Sequence, residues 1–323
     1  MKVLIIGAAG MLGRKLAEKL AQSRQLSGEP ITHLTQVDVV EPITPEGSDF
    51  PVENQACDFS KMDNAHRLIS QKPDVIFHLA AIVSGEAEAD FGKGYAINLD
   101  GTRHLLDTIA AKDGYCPRFV FASSLAVFGT PFPDTIPDDF HQAPLTSYGT
   151  QKAIGELLLS DYSRKGLLDG IALRLPTIVV RPGKPNAAAS SFFSSIIREP
   201  LNGQEAILPV PENVVHWMAS PKAATRYFVH AAEMDTSAFH GSRAFTMPGL
   251  AVSVSEQIET LRKIGGQACV DLIKRLPDPM VEKIVLGWPE RFDTKRALSV
   301  GFQPDTSFEA IVRDYIKSEG ISI

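Results

Sequence analysis

The chain has 323 residues, 44% of them apolar and 22% charged, and its 32 lysines and arginines against 38 aspartates and glutamates give a formal charge of −6. At roughly 100–200 residues per domain the length fits about two structural units, and the composition excludes disordered, collagen-like and coiled-coil chains. A mildly acidic chain with no basic cluster also lacks the counterion-releasing surface that nucleic-acid binding needs, so no nucleic-acid partner is expected.

The first element is the apolar run Val3–Ile6, which glycine interrupts at once. It has strand length and fits neither a secretion signal nor a span of about 20 apolar residues, so no membrane partner is expected. Leu12, Leu16 and Leu20 then recur at helical spacing. His33–Val40, Val75–Leu79, Phe119–Ala122 and Ile171–Leu175 are further short apolar runs, too uniformly apolar for a sheet with one wet face. Between them Leu99, Thr102, Leu106 and Ile109 mark a second amphipathic helix, and a third opens at Tyr148. Strand-helix alternation of this kind predicts an α/β fold, a Rossmann-type doubly wound parallel sheet over residues 1–175. From Pro176 onward seven prolines up to Pro221 break the texture, which predicts a smaller, partly interleaved C-terminal substrate domain over 176–323. Helices are expected there near Ser191–Arg198, Lys222–Glu233, Ser253–Ile264 and Ser307–Lys317. Cys57, Cys116 and Cys269 are scattered and form no CxxC pair, so they read as ordinary buried thiols of a cytoplasmic protein without a metal site.

Two clusters carry chemistry. Gly7-Ala8-Ala9-Gly10-Met11-Leu12-Gly13 stands at the first strand-to-helix junction, where glycines let bare backbone and a helix N-terminus meet a pyrophosphate. Asp38, at the end of the second strand, is placed to accept from ribose hydroxyls and to repel a 2′-phosphate, which selects NAD over NADP; a solvated strand end is the competing reading. Its interval of 31 positions from Gly7 exceeds the usual 20 or so, and the polar Gln22–Pro30 segment is expected to be a longer loop. The second cluster is Tyr148 and Lys152, four apart and so on one helical face, with Ser123 and Ser124 delivered by the Phe119–Ala122 strand. A neighbouring ammonium is what would lower a phenol's ordinary pKa of about 10 toward neutrality.

Taken with Asp58-Phe59, His78-Leu79-Ala80-Ala81, Asn98-Leu99-Asp100-Gly101-Thr102, Ser123-Ser124-Leu125-Ala126-Val127-Phe128-Gly129 and Gly301-Phe302-Gln303-Pro304, these motifs resemble the extended short-chain dehydrogenase/reductases. The resemblance implies NAD as cofactor and a catalytic set of Ser124, Tyr148 and Lys152, with Tyr148 as base. It further implies that Asp58 and Phe59 contact adenine, that Leu79, Ala80, Ala81, Pro176 and Thr177 line the cofactor, and that Asn98 supports the site. Homodimers formed through the Asn98–Ala111 and Tyr148–Lys165 helices are also implied. Thr177 stands where the family's nucleotide-sugar enzymes usually have asparagine, and Arg181 through Phe193 is similar to the family's sugar-acid dehydrogenases.

The expected activity is therefore oxidation of a secondary hydroxyl of a small sugar acid. Arg181 is the candidate for its carboxylate, because a planar guanidinium offers two parallel hydrogen bonds. Ser84 and Asn186 are candidates for its hydroxyls. His78 reads as a buried, hydrogen-bonded histidine, whereas His216 beside Trp217 either faces the substrate or belongs to the core. The alternatives are a nucleotide-sugar epimerase or dehydratase that retains its NAD, and a non-catalytic NAD-sensing protein.

Overall fold

A computed structural model describes residues 1–183, 189–239 and 241–322. The main sheet takes six strands from the first half: β1 (Lys2–Ile6), β2 (His33–Asp38), β3 (Val52–Ala56), β4 (Val75–His78), β5 (Arg118–Ser124) and β6 (Asp169–Leu175). The second half supplies β7 (Thr177–Ile178), β8 (Ala206–Leu208), β9 (Val215–Ala219), β10 (Ala244–Thr246), β11 (Leu250–Ser253) and β12 (Ile273–Arg275). The main sheet is all parallel, in the order β10-β6-β5-β4-β1-β2-β3. The chain winds outward from β1 to β3 and then returns to the other side of β1 at β4. That reversal opens a crevice beyond the carboxyl ends of β1 and β4.

Helices α1 (Met11–Ser23), α2 (Met62–Ser70), α3 (Ser84–Ala89), α4 (Thr102–Ala110) and α5 (Ser147–Arg164) follow the first strands. Two further helices are α6 (Phe192–Leu201) and α7 (Pro221–Glu233), and one face of the sheet buries Leu16 and Leu20 of α1 with Tyr227 and Phe228 of α7. The other face buries Leu68, Leu105, Ile109 and Leu159 against Phe119 and Phe121. A second core joins Phe193 and Ile197 of α6 to Met218 and to residues of α8 (Val254–Asp271) and α10 (Phe308–Glu319); α9 (Pro279–Leu286) lies at its edge. Here β9 pairs with β7 in parallel and with β11 antiparallel.

The four helices expected in the second half are present as α6, α7, α8 and α10, with α8 continuing to Asp271 through a kink at Gly266. Other details differ from the sequence reading. β3, Val-Glu-Asn-Gln-Ala, has no apolar run, because as the sheet's edge strand it keeps half-exposed side chains. β2 stops at Asp38, whose carboxylate takes the Val39 N–H at 2.7 Å, and Val39 and Val40 run out into solvent. The Gln22–Pro30 segment is the end of α1 followed by a small hairpin that pairs Gln25–Leu26 with Glu29–Pro30, which accounts for the long interval to Asp38. The helix expected at Asn98 begins with a seven-residue π-helical stretch, Tyr95–Gly101. The three thiols are free but not buried: Cys116 is exposed and the others partly so. Among the described residues no helix is long and apolar enough to cross a membrane.

Candidate active site

The glycine turn lies at the crevice. Gly7 has φ +95°, and a Cβ there would meet the Ala80 nitrogen at 2.5 Å; one on Gly13 would meet the Gly7 carbonyl at 2.2 Å. These two glycines therefore let β1, α1 and the β4 loop close on one another. Gly10 caps α1 without a side-chain acceptor, and the first turn holds no acidic residue. The N–H groups of Met11, Leu12 and Gly13 thus have no carbonyl within the helix, at the positive end of its dipole. Asp38 is anchored beside the turn, its Oδ2 accepting from Ala9 N at 3.0 Å and its Oδ1 from Val39 N. A cradle that side chains would fill, open helix amides and a backbone-held carboxylate fit a dinucleotide with an unphosphorylated ribose. Gly7, Gly10, Met11, Leu12, Gly13 and Asp38 would hold it there.

The flanking candidates divide. Leu79 and Ala80 hydrogen-bond to the Ile6 carbonyl and stay partly exposed, as does Ala81, so all three border the crevice. Asp58 accepts from Ser60 N and Oγ at 3.0 and 2.6 Å. Phe59 is only 4% exposed and its ring packs edge-on to His78 at 5.0 Å, so an adenine contact at this position would fall to its backbone. Asn98 is buried and fully engaged, accepting from Ile82 N at 2.9 Å and donating to the Ile82 carbonyl and to Gln151 Oε1 at 3.0 and 2.8 Å. It ties the β4 loop to α5.

Ser124, Tyr148 and Lys152 meet at the carboxyl edge of β5. Thr146 caps α5 through Gly149 N, and Gly149 lets the helix touch the turn after Ser124, since a Cβ there would meet the Ala126 carbonyl at 2.1 Å. The Ser124 side chain is close enough to the Tyr148 hydroxyl to favour its phenolate against the effect of burial. Lys152 Nζ donates to the Ala122 carbonyl at 2.7 Å and lies 5.6 Å from the centre of the Tyr148 ring. Burial opposes the acidification of Tyr148 expected from Lys152: it pushes the phenol up to about 12 and the ammonium down to about 7, because removing water disfavours both charges.

Behind the trio lies a network that the sequence reading passed over. Glu156 follows Lys152 by four residues on the same helical face. Buried, it accepts from Arg174 through Nε and Nη2, from Ser123 Oγ and from Gln142 Nε2. Its carboxylate is also the charge that raises the Lys152 pKa against the effect of burial. Continuing the spacing from Tyr148 through Lys152 was the available signal.

Of the remaining cofactor candidates, Pro176 is buried and Thr177 partly exposed, two residues beyond the Ser124–Leu175 pairing. Ser84 opens α3 and is partly exposed. Arg181 has no acidic partner among the described residues, and burial together with Arg198 lowers its pKa. Arg198 is itself paired with Glu199 at 2.6 Å. Asn186 lies outside the described residues. His78 is buried, with Nε2 2.9 Å from Thr102 Oγ1, and burial pushes it down to about 3, in keeping with a neutral core histidine.

The model of the NAD dependent epimerase/dehydratase family matches residues 3–235. A D-erythronate dehydrogenase of Cupriavidus necator is 46% identical over the whole of both chains. A second D-erythronate dehydrogenase, from Haemophilus influenzae, is 42% identical over 98% of this chain and 99% of its own. A crystal structure described as the nucleoside-diphosphate-sugar epimerase from Agrobacterium tumefaciens is 56% identical with a TM-score of 0.97, covering 100% of this chain and 95% of that one. A GalE-like L-threonine dehydrogenase from Cupriavidus necator shares the fold, at a TM-score of 0.84 with 21% identity over 99% and 100% of the two chains.

Proposed function

The chain belongs to the NAD-dependent epimerase/dehydratase family, and from that membership we propose that it oxidises a secondary hydroxyl of a small sugar acid, D-erythronate or a close analogue. One observation carries the reading: Tyr148, beside Ser124 and Lys152, stands at the crevice into which the glycine turn opens. NAD, when bound, supplies an electrophilic and positively charged ring that accepts hydride and favours phenolate next to it. The chain's own residues handle the proton. Ser124 and Tyr148 hold the substrate hydroxyl, Tyr148 takes its proton as the C–H bond breaks, and the carbon becomes a carbonyl. Lys152 stabilises the phenolate and would hold the nicotinamide ribose.

Arg181 would recognise the carboxylate. With Arg198 committed to Glu199, Arg181 is the member of this arginine pair that has no acidic partner among the described residues, and one guanidinium suits one carboxylate better than a diphosphate. The published description of the Agrobacterium structure favours a second reading, nucleotide-sugar epimerisation with retained NAD. Incubating the protein with four- to six-carbon aldonic and uronic acids and either NAD or NADP separates the two. Net NADH formation with D-erythronate supports the first. Protein that carries NAD, forms no NADH and interconverts a nucleotide sugar overturns it.

The same reading includes a homodimer formed through α4, its preceding π-helical stretch and α5, supported by the exposed Phe91 and Leu157 near those elements. Light scattering on the purified chain tests this. A cytoplasmic location completes the proposal and suits three free thiols.

A further inference from the structure

We propose that His216 is a positioning residue for substrate recognition, holding the Thr177 hydroxyl as a hydrogen-bond donor toward an anionic or carbonyl oxygen of the bound acid. This deepens the sugar-acid reading and rests on it. Thr177 opens β7 just past the sheet edge that carries Ser124, and it is partly exposed. Its Oγ1 lies 2.7 Å from His216 Nε2. His216, on β9, is only 5% exposed. Its ring stacks on Phe193 at 5.1 Å with 6° between the planes, and Trp288 lies at 5.0 Å. Because β9 pairs with β7 at Met218 and Thr177, the backbone fixes the two side chains relative to one another as well.

The direction of the bond follows from what surrounds the other ring nitrogen. His216 Nδ1 is buried and has no hydrogen-bond partner among the described residues. Burial keeps the imidazole neutral, so it carries one N–H. A proton on Nδ1 would leave a buried donor with no acceptor, whereas a proton on Nε2 leaves only a bare lone pair there. Orphaned buried N–H groups are rarer and costlier than under-used acceptors. The proton therefore sits on Nε2 and is given to Thr177 Oγ1. No further partner of that hydroxyl is found among the described residues, so its own hydrogen remains free to be donated. A group restricted to donating fits a carboxylate or a nascent carbonyl oxygen, and His216 is what restricts it.

Two measurements on the full chain test this. Nitrogen-15 NMR of histidine-labelled protein at neutral pH should show the Nε2–H tautomer for His216, the signal being identified by its loss in His216→Gln. An Nδ1–H tautomer overturns the proposal. In steady-state kinetics, His216→Phe and Thr177→Val should each raise KM for the sugar acid roughly tenfold, well beyond any rise in KM for NAD. The double variant should be no worse than either single one. His216→Gln, whose amide can still donate to Thr177, should recover part of the loss. Unmoved substrate KM values, losses that multiply in the double variant, or a parallel loss of NAD affinity all overturn it. A wild-type protein that oxidises no sugar acid would instead sink the functional reading, and the tautomer would then decide this inference alone.

Discussion

Burial holds Tyr148 and Lys152 against the charges that proton transfer needs, with the phenol at about 12 and the ammonium at about 7. Replacing Tyr148 with Phe should lower kcat by about 10²–10⁴-fold, the usual contribution of a positioned base, while the NAD dissociation constant read by fluorescence titration stays nearly unchanged. Lys152→Met should abolish most turnover and yet raise the melting temperature. Burial lowers the lysine from its ordinary 10.5, so the folded state disfavours the ammonium. That cost is fully present below about pH 7 and fades as pH rises toward 10.5, because there the native chain has shed a proton that the unfolded chain keeps. The gain of the Met variant in thermal melts should therefore shrink across that window. A variant less stable than wild type at pH 6 would contradict this account. Spacing in the sequence disclosed which groups meet at this site. It did not disclose their ionisation, which depends on how much water the surrounding fold removes.

At the scale of elements, α5 presents Tyr148, Lys152 and Glu156 on one face and brings them against β5 and β6, where Ser123, Ser124 and Arg174 end. Gly149 makes that approach possible. In most exposed helix interiors Gly→Ala stabilises by about 1 kcal/mol. Here the new methyl would overlap the Ala126 carbonyl, so Gly149→Ala should lower both the melting temperature and kcat by moving Tyr148 off Ser124. Unchanged kcat in a stabilised variant would show that the contact is slack. The amphipathic helices and central strands were legible because burial on one or both faces writes a period into the sequence. β3 and the π-helical stretch were not: an edge strand needs no apolar run, and Leu99 and Thr102 keep a helical spacing whether the turn closes on four residues or five.

Across the whole molecule, the two halves share cores rather than meeting at a seam. β10 extends the main sheet beside β6, and α7 packs on the face that also carries α1. A fragment of residues 1–175 would expose the β6 edge and the apolar side chains that α7 covers, among them Val120 and Leu173. It should be aggregated or only loosely packed, as read by near-ultraviolet circular dichroism, and should bind no NAD. A cooperatively folding, NAD-binding fragment would contradict this. The second half in turn places His216, Phe193 and Trp288 around Thr177, which extends directly from β6.

The sequence by itself disclosed the parallel sheet, the glycine turn, the place of Asp38 at its strand end and the shared helical face of Tyr148 and Lys152, because each depends on spacing within one strand-helix unit. Only the tertiary structure decided that Phe59 is core, that Glu156 backs Lys152, and that His216 meets Thr177 across 39 positions. Burial and long-range contact are properties of the assembled layers, and no local pattern of residue types records which side chains those layers bring together.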